Sequence, residues 1–279
     1  MSSRAVLGTF DGVHLGHRAL FSRAVRLCEH DGLTPVAIVI HREGELITDL
    51  SERERLIKET GVSRVEVIPL ESIRHKSAEE FIEYIKEAYD VTAALCGYDF
   101  RFGKDRVGTP DTLCALLPTE VVPEQRLDGV TVSSTAIRLA LKEGRVEDAA
   151  RLLGRSFSLE GKVAHGKQLG RTRGYPTANI PYESGRCPLR RGVYFTRVKT
   201  EGGEYNAVSN LGTCPTVGGV SDMLESYLLD FDGSLYGESI SVELLHFHRD
   251  EMHFSDIDAL YTQINADLKA AEEFFGRIR

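Results

Sequence analysis

Two histidines three residues apart, His14 and His17, are the first side chains whose spacing indicates chemistry. They lie in the glycine-rich stretch G-T-F-D-G-V-H-L-G-H, residues 8–17, between a short apolar run and a helical pattern. This order predicts a strand, a tight turn and a helix, with both imidazoles on one face of the first helical turn. A helix start offers free N–H groups and a positive dipole end, which suit a phosphate chain. Two imidazoles there could stabilise the charge that develops as a phosphoryl bond breaks.

Two later segments carry further groups that suit phosphate binding. Residues 97–108, G-Y-D-F-R-F-G-K-D-R-V-G, combine three glycines, three basic residues and two acids in one loop. Residues 131–138 begin a helix at which Ser133 or Ser134 is a natural N-cap, and Arg138 adds a mobile cation. The alternatives are a solvated loop for the first segment and an ordinary helix cap for the second.

The second half of the chain holds a different set of candidate groups. Residues 161–180 contain four glycines and several cations, as a flap over phosphates would, but they do not match the P-loop pattern. Thr177 and Asn179 are oxygen donors two residues apart, so on an extended segment they face the same way. A hydroxyl and a carboxamide suit Mg²⁺ that is held partly by nucleotide phosphates. The alternative is a turn followed by a structural asparagine.

Glu225 opens a strand of apolar character. A kinase that phosphorylates an alcohol needs positioning, a metal and a base for the hydroxyl proton. Glu225 is a candidate for that base. A solvated glutamate at a strand edge is the alternative interpretation.

The elements that must position the first group of residues alternate between strands and helices. Such alternation predicts an α/β domain with right-handed crossovers, in which ligands bind outside the carboxyl ends of the strands. Continuous apolar runs predict buried parallel strands, and S-x-x-E patterns resembling capping boxes mark two helix starts. The predicted strands are 5–7, 34–40, 65–70 and 91–96, and the predicted helices are 18–28, 51–59 and 77–85.

The second group of residues lies in a region of short strands and turns. Their spacing predicts a small closed antiparallel barrel, with strands at 157–163, 192–199, 204–210, 224–231 and 240–247. A helix over 255–275 has apolar residues at helical spacing and should pack on the barrel. We therefore expect two domains, residues 1–154 and 155–279.

Composition limits the class of protein. A formal charge of −8 argues against non-specific nucleic-acid binding. No apolar run approaches the length of a membrane span, and residues 1–4 lead directly into the first strand, so we expect no signal peptide. The five cysteines form no C-x-x-C pair, which supports neither zinc nor a disulfide framework. The simplest interpretation is a cytoplasmic enzyme with reduced thiols.

The three segments of the first half together resemble the adenylyltransferase half of prokaryotic bifunctional riboflavin kinase/FAD synthetase. That family carries a G-x-F-D-G-x-H-x-G-H turn, a G-x-D-F-x-F-G loop and an (S/T)-S-T-x-I-R helix start, which match residues 8–17, 97–103 and 133–138. The resemblance implies a Rossmann-like nucleotidyltransferase domain with a parallel sheet. It also implies that His14, His17 and Arg138 act on the ATP phosphates, and that the loop of Asp99 lies near nucleotide and flavin. The implied nucleotide-binding positions are Gly8, Phe10, Asp11, Gly12, Gly16, Gly97, Asp99, Ser133, Ser134 and Thr135.

One segment departs from that family. After its second strand the family usually has an aromatic residue and a P-H-P element, followed by a longer loop that helps to hold flavin. Residues 40–45 here read I-H-R-E-G-E, without proline, and His41 is the candidate match for the family's histidine. The departure concerns flavin binding and the efficiency of FAD synthesis, and it leaves the ATP-phosphate motif intact.

The second half resembles riboflavin kinase across nearly its whole length. The matching elements include the flap at 161–174, P-T-A-N at 176–179, N-x-G-x-x-P-T at 210–216, Glu225 and Arg249. The resemblance implies that Thr177 and Asn179 bind Mg²⁺ with the nucleotide, and that Glu225 deprotonates the riboflavin 5′-hydroxyl. It places flavin beside Asn210 and Arg249. The implied nucleotide-binding positions are Gly166, Lys167, Gly170, Arg171 and Thr177. Relatives often have a more apolar residue than Arg173, a change that we do not expect to abolish activity.

The resemblance predicts a two-domain enzyme whose ligands are riboflavin, FMN and ATP. The barrel would phosphorylate riboflavin with Mg-ATP, and the α/β domain would adenylylate FMN and release pyrophosphate. A first alternative is a monofunctional riboflavin kinase with a degenerate adenylyltransferase domain. A second alternative is a regulatory protein that binds flavin or nucleotide without turnover, but the intact phosphate sites and the candidate base argue against it. A third is a nucleotidyltransferase for another phosphorylated alcohol.

Overall fold

The computed structural model describes residues 2–164, 177–216 and 219–277. The chain divides into two compact units. One comprises Met1–Ile137 with Leu152–Gly154, and the other comprises Arg138–Arg151 with Arg155–Arg279. Each unit is described separately below.

The first unit is built on a five-stranded parallel sheet in the order β3-β2-β1-β4-β5. Its strands are β1 (Ser3–Gly8), β2 (Thr34–His41), β3 (Arg64–Pro69), β4 (Val91–Gly97) and β5 (Thr119–Val122). Its helices are α1 (Leu15–Asp31), α2 (Leu50–Lys58), α3 (Leu70–Ile73), α4 (Ala78–Tyr89) and α5 (Pro110–Leu116). A small hairpin of β6 (Arg126–Leu127) and β7 (Val130–Thr131) precedes α6 (Ser134–Lys142). Only the first residues of α6 belong to this unit, and most of α7 (Val146–Leu153) belongs to the second unit. The predicted α/β architecture is confirmed, whereas α5 and β5 were not predicted.

Both faces of this sheet are buried, as the continuous apolar strands predict. Leu7 and Ile38 belong to one hydrophobic cluster, with Phe81 and Ile82 of α4. Val6 and Val39 point to the other face and join a second cluster with Phe21 of α1. Adjacent residues of each strand thus pack into opposite hydrophobic layers, which fixes the strand register. Because the strands are parallel, their carboxyl ends lie at one edge of the sheet.

Two predicted helix starts have different outcomes. Ser77 forms the predicted capping box with Glu80, and both reciprocal bonds are present. For α2 the prediction is wrong, because Asp49 rather than Ser51 is the N-cap. The Asp49 carboxylate accepts a hydrogen bond from the Glu52 N–H (2.8 Å), and the Ser51 hydroxyl donates to the same carboxylate. Aspartate is at least as good a cap as serine, and here it lies one residue outside the helix.

The second unit is a six-stranded antiparallel sheet in the order β8-β13-β10-β11-β12-β9. Its strands are β8 (Phe157–Lys162), β9 (Ala178–Tyr182), β10 (Gly192–Thr200), β11 (Gly203–Thr216), β12 (Gly219–Leu228) and β13 (Ser239–Arg249). The helix α8 (Ile257–Arg277) follows. The prediction of a small antiparallel barrel with a terminal helix is confirmed, although β9 was identified only as an extended segment.

The edge strands β8 and β9 meet and nearly close the sheet. The Ala164 N–H donates to the Asn179 carbonyl oxygen at 2.9 Å, which forms an antiparallel bridge. At Gly161 a Cβ atom would lie 2.3 Å from Cγ2 of Ile180, so only glycine permits this approach. On the outer face, Ala271 and Phe275 of α8 pack against Phe195.

Within the part of the chain that the structure describes, no helix combines the length and apolar character that crossing a bilayer requires.

Candidate active sites

His14 and His17 lie together where β1 leads into α1. The helix begins at Leu15, earlier than predicted, so His14 is its N-cap, and its Nδ1 accepts from the His17 N–H at 3.3 Å. The two rings stack with centroids 3.5 Å apart and planes 17° apart. A Cβ at Gly16 would lie 3.2 Å from the His14 ring, which explains why a residue without a side chain stands between them. The pair therefore lies at the helix N-terminus, where anions are favoured.

His17 is held in an environment that keeps its imidazole neutral. Burial, followed by repulsion from His14 and Arg53, lowers its pKa well below the usual value of 6.5. Its ring and that of Phe10 form a T-shaped pair with centroids 5.3 Å apart. Its Nδ1 is buried and has no hydrogen-bond partner within the described residues. A neutral imidazole in this position can donate one hydrogen bond and accept another without a change of charge.

Asp11 and Gly12 hold the turn in place through bonds within the protein. The Asp11 carboxylate accepts from the N–H groups of Ile47 (2.9 Å) and Thr48 (3.2 Å) and from Arg53 (3.4 Å). The Gly12 N–H donates to the Thr48 hydroxyl at 3.0 Å. Arg53 is almost fully buried and also donates to the carbonyl oxygens of residues 9 and 48. Asp11 and Gly12 do not line the neighbouring cavity, so their predicted contact with nucleotide stays a prediction.

A cavity of about 490 Å³ adjoins the histidine pair. The carboxyl ends of β1 and β4 and the start of α6 line it, as the sheet topology predicts. At that helix start Ser133 accepts from the Ala136 N–H (3.2 Å), and the Ser134 hydroxyl donates to the Asp11 carbonyl oxygen (2.8 Å). Predicted residues that line the cavity are His14, His17, Gly8, Phe10, Gly16, Gly97, Asp99, Ser133, Ser134 and Thr135. Arg138 and His41 do not line it.

Sequence reasoning missed much of the cavity wall. Four arginines line it, and an apolar surface lies among them. Apart from Ile40 within β2 and Phe81 in α4, these residues follow carboxyl ends of strands or lie in the 97–108 loop, which the sequence already indicated as a phosphate-binding segment. The arginines are Arg42, Arg74, Arg101 and Arg106, and the apolar residues include Ile40, Leu70, Ile73, Phe81, Phe100 and Phe102.

In the second unit, four predicted residues fall on one row across the sheet. Asn179 of β9 is directly opposite Glu225 of β12, and Glu225 is directly opposite Asn210 of β11. Val193 of β10 then pairs with both Asn210 and Arg249 of β13. Directly opposed residues of antiparallel strands share a face. The sheet therefore brings together groups that are far apart in the sequence.

A chain of hydroxyl groups lies on the opposite face, directly behind this row. Thr196 and Ser209 are 2.7 Å apart, and Ser209 donates to Ser226 at 2.7 Å. All three are buried in the barrel. Since Ser209 and Ser226 adjoin Asn210 and Glu225 in the sequence, these bonds help to hold β11 and β12 in the register that the row needs.

Arg249 is bound to the terminal helix. Its guanidinium donates to the carboxylate of Asp267 at 2.6 and 3.0 Å, and Gln263 donates to the same carboxylate at 2.8 Å. His248 Nε2 lies 3.3 Å from Asp267, yet burial lowers the pKa of His248. Arg249 thus joins β13 to α8, and its predicted contact with flavin stays a prediction.

Thr177 and Asn179 supply neutral oxygen atoms at one end of the row. The Thr177 hydroxyl donates to Asn179 Oδ1 at 3.4 Å, and Asn179 is buried. Two neutral oxygen ligands fit Mg²⁺, which keeps waters and takes its other ligands from substrate phosphates. Elsewhere in the described residues, no group of three or more histidine, cysteine or acidic side chains could hold a metal ion. The predicted flap residues Gly166, Lys167, Gly170 and Arg171 lie outside the described residues.

Comparisons with known proteins match each half of the chain to a separate enzyme family. The family model for FAD synthetase matches residues 2–136, and that for riboflavin kinase matches residues 153–275. Several relatives carry the name bifunctional riboflavin kinase/FMN adenylyltransferase. The one from Pseudomonas fluorescens is 37% identical to this chain, over 96% of this chain and 91% of the relative. The one from Escherichia coli K12 is 36% identical, over 97% and 92%, and the one from Bacillus subtilis is 33% identical, over 98% and 92%.

One solved structure has the same fold over nearly the whole chain. It is described as a macrolide-efflux protein from Streptococcus pneumoniae, with a TM-score of 0.88 and 31% identity over 97% of this chain and 94% of that one. The two family matches, one to each half, support the bifunctional interpretation over the monofunctional alternative. The chain therefore belongs to the bifunctional riboflavin kinase/FMN adenylyltransferase family and carries both of its enzymatic domains.

Proposed function

We propose that this chain converts riboflavin to FMN at the row of Asn179 and Glu225, and FMN to FAD at the cavity beside His14 and His17. The observation that carries the proposal is that each group of residues is assembled within a single compact unit. ATP is the second substrate of both reactions. The two sites need no shared residue, so each half-reaction can be tested separately.

At the kinase site, Glu225 accepts the proton of the riboflavin 5′-hydroxyl. The hydroxyl oxygen then attacks the γ-phosphorus of ATP, the bond to the bridging oxygen breaks, and ADP leaves. Thr177 and Asn179 would hold Mg²⁺ together with the nucleotide. When bound, Mg²⁺ neutralises charge on the phosphates. The protein supplies positioning and a base, which is all that this reaction requires of it.

At the adenylyltransferase site, a phosphate oxygen of FMN attacks the α-phosphorus of ATP, and pyrophosphate leaves. The N-terminus of α1, the imidazoles of His14 and His17, and the hydroxyls of residues 133–135 stabilise the charge that develops. Neutral His17 can donate a hydrogen bond to a phosphate oxygen while it gains no proton.

Two assays with single acceptors test this proposal. Riboflavin with Mg-ATP should yield FMN, and FMN with Mg-ATP should yield FAD and one equivalent of pyrophosphate. Accumulation of FMN without FAD, even with excess ATP, would support the monofunctional alternative instead. Binding of flavin and ATP without either product would contradict the proposal entirely.

A further inference from the structure

The cavity of the first unit is strongly basic although the chain as a whole is acidic. Four arginines line it, and the only carboxylate among its lining residues in the described structure is that of Asp99. The formal charge of the whole chain is −8. A local excess of positive charge in a concave site concentrates anionic ligands. The binding of an uncharged apolar ring would not require these arginines, so the cavity is suited to a ligand that also carries negative charge.

Arg42 and Arg74 are neighbours in the fold. Arg42 follows the last residue of β2, His41, which pairs with Pro69, the last residue of β3. Arg74 ends the short helix α3, which follows Pro69 directly. Both arginines thus extend from adjacent strand ends on the side of the cavity away from β4.

Both guanidinium groups can engage a ligand. Arg42 is exposed and makes no ion pair or hydrogen bond within the described residues. Arg74 pairs with Glu71 at 2.9 Å, but both side chains are more than two-thirds exposed, so that this ion pair contributes little. A bidentate bond from a guanidinium to a phosphate is stronger than such an exposed pair.

The positive charge of Arg42 acts on the buried guanidinium of Arg53. Burial is the main cause that lowers the pKa of Arg53; nearby acids oppose this effect, and the charge of Arg42 adds to it. A bound phosphate beside Arg42 would relieve this repulsion between the two guanidinium groups. This interaction is a minor one, and it agrees with the basic character of the cavity beside Arg42.

An apolar surface lies beside the two arginines. Leu70, which is 37% exposed, and Ile73 precede Arg74, while Ile40 lies two residues before Arg42. Phe100 and Phe102, in the loop that follows β4, also line the cavity, and their rings stack with centroids 5.6 Å apart. A ligand that fits this arrangement has a flat apolar ring system and a phosphate group on a flexible arm.

We propose that Arg42 and Arg74 bind the phosphate of the acceptor flavin and so select the phosphorylated flavin over flavins without phosphate. The proposal rests on the adenylyltransferase function given above. The β- and γ-phosphates of ATP are the other phosphate groups that could bind to these arginines in this cavity. His14, His17 and the helix start of α1 already provide for them, whereas Arg42 follows β2 and Arg74 follows α3, which comes after β3.

The test is a steady-state analysis of FAD formation from FMN with Arg42→Gln/Arg74→Gln. The KM for FMN should rise by about tenfold or more, as expected for losing charge-assisted bonds, while the KM for ATP stays within about twofold. Lumiflavin, which has neither ribityl chain nor phosphate, should inhibit wild type and variant with the same inhibition constant. Arg42→Lys/Arg74→Lys should recover part of the affinity for FMN.

Two controls separate this effect from unfolding and from failure of the proposed function. Arg55→Gln removes an exposed arginine of α2 that does not line the cavity, and should leave all constants unchanged. Riboflavin kinase activity of the double variant, which depends on the other unit, reports an intact chain. A raised KM for ATP, weaker inhibition by lumiflavin or an unchanged KM for FMN would each overturn the inference alone. A wild-type protein that makes no FAD from FMN would contradict the proposed function, and the inference with it.

Discussion

Asn179 and Glu225 are directly opposite each other on β9 and β12, at the edge where the barrel nearly closes. The candidate base and the candidate metal ligand therefore share one face of the sheet. Their separation depends on strand register alone, which the buried hydroxyl chain behind them helps to hold. A change of one residue in register would turn Glu225 to the other face.

Replacing Glu225 by Gln should remove the kinase activity and spare the other reaction. The amide keeps the size of the side chain but cannot accept the hydroxyl proton. We expect the kcat for FMN formation to fall by about 10²–10⁴-fold, with FAD formation from supplied FMN unchanged. Glu204→Gln, an exposed glutamate of β11 paired with Lys199, is the matched control. A Glu225→Gln enzyme that phosphorylates riboflavin at the wild-type rate would exclude Glu225 as the base.

His17 should make the first unit sensitive to acid. Its pKa in the folded protein is below the usual value of 6.5, so the unfolded chain binds its proton at a higher pH than the folded chain does. The contribution of His17 to the free energy of unfolding therefore stays constant above about pH 6.5 and decreases as the pH falls below that value. Thermal midpoints at pH 7.5 and 5.5 should differ more for the wild type than for His17→Gln. Equal shifts in the two proteins would show that His17 is not held neutral by the fold.

Gly161 should be required for closure of the barrel, because a Cβ there would overlap Ile180. We expect Gly161→Ala to cost about 1–3 kcal/mol through overpacking. Ile180→Ala creates a cavity and is itself destabilising, but it removes the overlapping methyl group. In that background Gly161→Ala should cost close to nothing, which denaturant unfolding of the four proteins would measure. Additive costs in this cycle would refute the steric explanation.

Asp11 and Arg53 should contribute strongly to the stability of the first unit. Asp11→Ala leaves a buried guanidinium without its carboxylate and two N–H groups of residues 47 and 48 without an acceptor. Breaking a buried pair in this way costs about 3–5 kcal/mol. The double variant Asp11→Leu/Arg53→Met should lose less free energy of unfolding than the sum of the losses for Asp11→Leu and Arg53→Met alone. Urea unfolding, with loss of adenylyl transfer activity as the signal, measures these free energies. An unchanged free energy of unfolding for Asp11→Ala would show that this network does not stabilise the fold.

The sequence predicted the architecture wherever the local sequence pattern agreed with the burial and packing of the segment in the tertiary structure. Buried strands such as 34–40 and 91–96 are apolar throughout because both sheet faces are covered. The start of α4 follows from Ser77 and Glu80 alone. The α2 cap was assigned to Ser51 because Ser51 and Glu54 fit the capping-box pattern, and a local pattern does not choose between two good caps.

The candidate sites were predictable only in part. Motifs located His14, His17, Asn179 and Glu225, but the row across five strands depends on pairings between distant segments. Arg42 lies in the segment 40–45 that the resemblance ties to flavin binding, but Arg74 belongs to no local pattern, and the two were connected only when the sheet placed β2 beside β3. Asp11 shows the reverse case, since its carboxylate is used in bonds that no motif indicates.

The most direct test of two independent sites in one chain is a complementation assay with two variants, starting from riboflavin and Mg-ATP. Glu225→Gln alone should form neither product, and His14→Asn/His17→Asn alone should stop at FMN. An equimolar mixture of the two should make FAD, with FMN appearing first. A mixture that yields no FAD, or a single variant that loses both half-reactions when each is supplied with its own acceptor, would contradict the account.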